Sequence, residues 1–167
     1  MEEKDECVIC LGELVDLCTL LPCGHAFNKA CLQTWFSKSI RCPICRQAAV
    51  SISVDTPGAY PWKGNGHFVI CKTLLLPDEI LGVSLVDTEE GGFFVEGIIE
   101  SGAMHRAGVK VKDVLLSVNN ICFNNIKTLV EFVAAAERYA KESGGLEVSA
   151  LCIRPRRRPL LACCITH

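Results

Sequence analysis

No apolar run in this chain of 167 residues is long enough to span a bilayer, and the acidic start "MEEKDE" lacks the basic and then apolar layout of a secretory signal. Neither sign of charge is in excess. Lysine and arginine number 17 against 19 aspartates and glutamates, a net charge of -2. That balance gives no general reason to expect nucleic acid or a membrane surface as partner. Together these absences imply an intracellular, cytoplasmic protein. The length suits one ordinary domain or two small ones.

What the chain does have is cysteine, 12 in all. Thiols stay unpaired in a reducing compartment, so metal ligation is the first reading of such a count. Distribution says more than number: seven lie between Cys7 and Cys45, and the rest are Cys71, Cys122, Cys152, Cys163 and Cys164. Two regions with different chemistry follow.

In the head the ligand candidates run Cys7, Cys10, Cys23, His25, Asn28, Cys31, Cys42 and Cys45. Close pairs recur in "CVIC", "CGH" and "CPIC". Two thiolates so spaced turn on a tight knuckle and face one tetrahedral ion. The ordered set resembles the RING finger family over residues 1–46. That resemblance implies a cross-brace of two Zn2+ sites: Cys7, Cys10, Asn28 and Cys31 form the first, and Cys23, His25, Cys42 and Cys45 the second. Asn28 stands where the family carries histidine or cysteine. Its neutral amide oxygen is a poorer partner for zinc, so the first site is expected to be the weaker. Three arrangements stay open there: ligation by the Asn28 oxygen, a water in the fourth position, or Cys18 swinging in. So short a head buries little apolar surface, and metal would supply much of its folding free energy, about 10 kcal/mol or more per structural zinc.

In RING fingers the metals do no chemistry; they hold loops and a short helix that dock a ubiquitin-conjugating enzyme. The resemblance implies docking through Ile9 inside the first pair, Trp35 after "CLQT" and Pro43 inside "CPIC". Arg46 directly follows the last ligand, where a planar guanidinium bridges conjugating enzyme and ubiquitin. Each also has a plain structural reading: Ile9 as core, Trp35 as a cap over zinc, Pro43 as a turn former, Arg46 as an exposed charge.

From Gln47 to Gly66 the pattern loosens. "DTPGAYPWKGNG" packs prolines, glycines and an asparagine together and reads as turn and loop, with Tyr60 and Trp62 expected to pack on a neighbour. Residues 47–66 are therefore expected to be a linker. Beyond it, "HFVICKTL", "LGVSLV", "FFVEGIIE", "VKDVLLSVNN" and "LEVSALCI" read as strands. A short helix opens at Ser101 and stops at Gly108, and Asn125 caps a longer helix from Ile126 to about Lys141. Residues 67–154 resemble the PDZ family, through "ILGV", "GGFFVEGIIESGAMHRAGVKVKDVLLSVNN" and the helix behind. The implied class is α+β: a small zinc-bound cross-brace RING finger plus a PDZ domain, which is a partly open antiparallel β-barrel with two helices.

PDZ domains bind by adding a peptide's end as a strand, with inward-turned amides capturing its terminal carboxylate. The resemblance assigns that nest to Leu81, Gly82 and Val83, and the pairing strand to Val83, Ser84, Leu85 and its neighbour Val86. Ile80 replaces the family's first glycine. Aligned by its buried face, the helix turns Ile126, Val130 and Val133 to the groove; aligned without a gap, it puts Thr128 at the position setting ligand class. Neither register offers a histidine there, so an apolar residue two before the ligand's end is expected.

The tail, residues 155–167, carries basic residues and then Cys163 and Cys164. It reads as a solvated charged end; lipid on those cysteines would instead bring it to an anionic membrane. Joined, the two regions imply a RING-type ubiquitin ligase (E3) that recruits substrates by a C-terminal peptide. The alternative is a zinc-binding adaptor whose finger only scaffolds, a reading that Asn28 favours.

Overall fold

The computed structural model describes residues 6–54 and 66–156; Tyr60, Trp62, Cys163 and Cys164 lie outside them. The head starts with a two-residue ribbon in which β1 (Glu6–Cys7) pairs antiparallel with β2 (Gly12–Glu13). The knuckle between them closes when Leu11, at φ 57°, donates its N–H to the Cys7 carbonyl at 2.7 Å. Next come β3 (Leu17–Leu21), β4 (Ala26–Asn28) and α1 (Lys29–Phe36). Helix α1 buries Leu32 and Phe36, one turn apart, beside Phe27 and Leu20.

The expected linker does not begin as a loop. Ser51–Val54 forms β5, which pairs with β3 from Leu21↔Ser51 to Cys18↔Val54 and makes β4-β3-β5 a three-stranded sheet. Ala49, Val50 and Ile52 are buried. The signal was present in "AVSISV", whose β-branched residues suit a half-buried strand. The proline- and glycine-rich composition just downstream outweighed it. Residues 55–65 lie outside the described ones.

The second part holds β6 (Gly66–Leu75), β7 (Val83–Asp87), β8 (Phe93–Ile98), α2 (Ala103–Ala107), β9 (Val114–Val118), β10 (Ile121–Cys122), α3 (Ile126–Ser143) and β11 (Leu146–Pro155). Its antiparallel sheet runs β6-β11-β9-β8-β7, with β10 on β9. Two corrections to the sequence reading are small. Gly102, not Ser101, is the N-cap of α2, and it has no side chain to donate or accept. Helix α3 runs to Ser143 before Gly144 stops it at φ 82°. As expected, Asn125 caps α3, its side chain accepting the Thr128 N–H at 2.9 Å. Leu129, Phe132, Ala136 and Ala140 bury one stripe of the helix against the sheet.

A seam ties the two parts together. Asn119 and Asn120, at φ 49° and 65°, form the tight turn between β9 and β10, a conformation asparagine tolerates better than most residues. The Asn119 Nδ2 donates to the carbonyls of Val50 at 2.9 Å and Glu147 at 3.1 Å. Its Oδ1 accepts the Ser149 N–H at 2.8 Å, and its own carbonyl accepts the Ile52 N–H at 3.0 Å. Asn120 Nδ2 donates to Ile52 O, and Asn125 Nδ2 to Ser37 O at the end of α1. The strand that leaves the head is thus held by the turn of the second part.

Candidate metal centre and groove

Four ligand atoms converge between the second and third close pairs. Those of Cys23, His25, Cys42 and Cys45 lie within 4.8 Å of one another, and the Cys42 sulfur sits 3.5 Å from His25 Nδ1. Tetrahedral zinc with bonds of about 2.3 Å sets its sulfur ligands roughly 3.8 Å apart, so this set fits zinc closely. Local backbone makes it so. Gly24, at φ 77°, turns the chain between Cys23 and His25. In the last knuckle the Arg46 N–H, from a residue at φ 61°, reaches the Cys42 carbonyl at 2.9 Å. The same bond closes the first knuckle at Leu11.

The other set comprises Cys7, Cys10 and Cys31, again within 4.8 Å of one another. Asn28 is beside it, but its amide oxygen is not offered to the sulfurs. Asn28 Oδ1 accepts the Val15 N–H at 2.8 Å, while Nδ2 donates to the Glu13 carbonyl at 2.9 Å and faces the Cys10 sulfur at 3.7 Å. Its backbone N–H points to the Cys7 sulfur at 3.4 Å. An amide nitrogen does not ligate zinc; it stabilises a thiolate by hydrogen bonding. In this structure the Asn28 carboxamide ties the loop from β2 to β3 and stands beside the thiols with its nitrogen toward Cys10. Burial pushes the Cys7 thiol up, and the backbone N–H groups of Asn28, Ile9 and Cys10 outweigh it, bringing the thiol down to about 7. Cys18 does not swing in either. It is buried, its thiol donates to the Phe27 carbonyl, and burial pushes it up to about 11.

The docking residues expected from the sequence sit on these knuckles and on α1. Ile9 and Trp35 are half-buried and pack on the head's core, with Trp35 Nε1 donating to the Arg41 carbonyl at 2.7 Å. Pro43 is half-buried and Arg46 is exposed, with its carbonyl held by Arg41 Nη1 at 3.2 Å. Sequence reading passed over three exposed apolar neighbours on the same knuckles, Val8, Leu11 and Ile44. The clue was their place inside or just after a cysteine pair, where no core exists to bury them.

A second site lies between β7 and α3. Leu81, Gly82, Val83, Leu85, Ile126, Val130 and Val133 line a cleft of about 290 Å³, together with Leu129. Val130 is well exposed along it, and β7 ends the sheet with one edge unpaired among the described residues. Ser84 alternates away from the lining and is exposed. Thr128 is buried with its hydroxyl on the Asn125 carbonyl, so the ungapped register fails. Ile80 is exposed and does not line the cleft. Gly82 cannot be replaced without movement: at φ 69°, an added Cβ would meet Gly102 Cα at 2.8 Å. One contact was not foreseen. Leu81 N–H donates to Glu137 Oε1 on α3 at 3.0 Å.

Comparison with known proteins agrees with this anatomy. Residues 5–46 match the family model described as Ring finger domain, and residues 73–148 match the PDZ domain model. RING-H2 finger protein ATL54 of Arabidopsis thaliana is 43% identical over 58 residues, which cover 33% of this chain and 14% of that protein. E3 ubiquitin-protein ligase Praja-2 of Mus musculus is 40% identical over 72 residues, covering 36% of this chain and 10% of its own. The chain thus spans a small fraction of the length of these relatives. Among solved structures, a PDZ domain from choanoflagellate GIPC is 26% identical, covers 56% of this chain and 96% of its own, and superposes with a TM-score of 0.41. No helix among the described residues is long and apolar enough to cross a membrane. The chain thus carries a Ring finger domain over residues 5–46, with a Cys/His ligand set suited to zinc, followed by a PDZ domain over residues 73–148.

Proposed function

We propose that this protein is a RING-type ubiquitin ligase whose PDZ domain recruits the substrate by a peptide, at its C-terminus in the family's usual mode. The supporting observation is the complete Cys23, His25, Cys42 and Cys45 set, flanked by knuckles that carry Ile9, Pro43 and exposed Arg46. Zinc bound there is structural and fixes the knuckles; it takes part in no bond-making step. Ile9, Trp35 and Pro43 dock the conjugating enzyme. Arg46 spans enzyme and ubiquitin and restrains the thioester, with the guanidinium acting as a multidentate donor. A substrate lysine amine then attacks the thioester carbonyl, the enzyme thiolate leaves, and the amine proton is lost to solvent. No residue of this chain forms a covalent bond.

The seam at Asn119 gives the PDZ groove a set orientation relative to the docking face. Held substrate lysines are thereby concentrated near the thioester, more than a floppy tether would achieve. We place this action in the reducing cytoplasm, where the cysteines of both metal sets stay available as ligands. A second reading, a non-catalytic zinc-binding adaptor, draws on the absence of a fourth protein ligand at Asn28. Self-ubiquitination with a panel of conjugating enzymes separates the two. Activity that falls at least about tenfold in Arg46→Ala, with zinc content unchanged, supports the ligase. No transfer with any conjugating enzyme assigns the adaptor.

A further inference from the structure

The loop that should cradle a ligand's terminal carboxylate already holds one. Leu81 N–H donates to Glu137 Oε1 at 3.0 Å, and the Leu81 carbonyl accepts the Met104 N–H at 3.0 Å, so both backbone groups of this residue are engaged. Glu137 lies one helical turn beyond Val133, which lines the groove, and therefore sits at the groove's carboxylate end. The loop cannot easily turn aside. Gly82 packs on Gly102, its carbonyl accepts the Ile99 N–H at 2.9 Å, and the Ile80 carbonyl accepts the Ala103 N–H at 3.0 Å.

The surrounding charge points the same way. The residues leading into the loop are Asp78 and Glu79, and each is already matched, Asp78 by Lys141 at 3.0 Å and Glu79 by Arg106. Glu137 itself is in no ion pair among the described residues. An incoming carboxylate would find one amide of the nest occupied and a like charge beside it. A chain that runs on past the loop brings a neutral amide instead, and Glu137 accepts its N–H groups.

We propose that Glu137 sets the ligand class of this groove, so that it takes internal extended segments of a partner protein in place of free C-termini. The inference rests on the groove reading above but departs from its C-terminal mode: the strand still adds to β7, with apolar side chains against Val130 and Val133, while the terminal carboxylate loses its role.

The test uses the full zinc-loaded chain and two matched peptide libraries, randomised at their last positions and ending in either a free carboxylate or a carboxamide. The best sequences are then titrated as acid and amide pairs. The wild-type protein is expected to bind the amide at least as tightly as the acid. Glu137→Ala frees the Leu81 N–H and should tighten the acid by about tenfold while leaving the amide within about twofold; Glu137→Gln removes only the charge and should fall between. Position 137 is partly exposed on a helix, where alanine is well tolerated. A wild-type preference for the acid of about tenfold, unchanged in both variants, overturns the role of Glu137 and leaves the groove reading intact. Capture of neither library by wild type or variants overturns the groove reading itself, and this inference with it.

Discussion

Replacing Asn119 with alanine removes its three side-chain bonds at the seam in one step and leaves those of Asn120 and Asn125 in place. Asn119 is 5% exposed, and its carboxamide serves Val50 O, Glu147 O and Ser149 N–H. Each of those groups would be left buried or poorly hydrated, at about 1–3 kcal/mol apiece, with water entry lowering the sum. Alanine must also adopt the left-handed conformation at φ 49°, costing about 1 kcal/mol more. The expected loss is about 3–5 kcal/mol, a large share of the 5–15 kcal/mol typical of a domain. Urea unfolding of the full chain at constant zinc reads it as a lower midpoint, followed by tryptophan fluorescence and far-ultraviolet circular dichroism. Asn119→Gly relieves the backbone strain but not the lost bonds, so it should recover only about 1 kcal/mol. A loss below about 1 kcal/mol in Asn119→Ala would refute the seam as a structural joint.

Native mass spectrometry should find two zincs in the wild-type chain; Cys42→Ser should lose the second-site zinc and unfold the head, whereas Asn28→Ala should keep both but release the first faster to a chelator, because Val15 N–H and the Cys10 sulfur lose their partner. Equal release rates from wild type and Asn28→Ala would make Asn28 irrelevant to the metal. Arg154 pairs at 2.7 Å with Asp113, which is 1% exposed and also accepts the Lys110 N–H, so Arg154→Met should cost about 3–5 kcal/mol in urea unfolding. The Arg106 guanidinium holds the Glu79 carboxyl below the usual range. Because that folded-state value is depressed, the pair's contribution is present above the ordinary glutamate range and lost as pH falls through the folded value. Acid titration of Arg106→Met should therefore lose that component of its acid limb, seen as a flatter stability profile below about pH 5.

Most of the fold was legible locally. Cysteine spacing marked both metal sets, since knuckle geometry depends on residues within five positions of one another. Alternation and capping marked the PDZ strands and α3, down to Asn125. What escaped was nonlocal or masked by neighbours. The β-branched "AVSISV" was read through the loop composition that follows it, and β5 exists because β3 offers an edge. Asn28 counted as a ligand by position, yet nothing local tells which way a carboxamide faces. Its orientation is decided by Val15 and Glu13, which only the folded loop brings near.

By itself, then, the sequence determined which ion and which fold classes this chain would carry. Those follow from ligand chemistry, hydrophobic period and turn residues, all of them short-range. The tertiary structure alone decided that Asn119 clamps the strand leaving the finger, 69 positions away from Val50. It also decided that Glu137 reaches an amide 56 positions earlier in the chain. Hydrogen bonds depend on distance in space and on the exclusion of water, and neither is written in the order of residues until the core has closed.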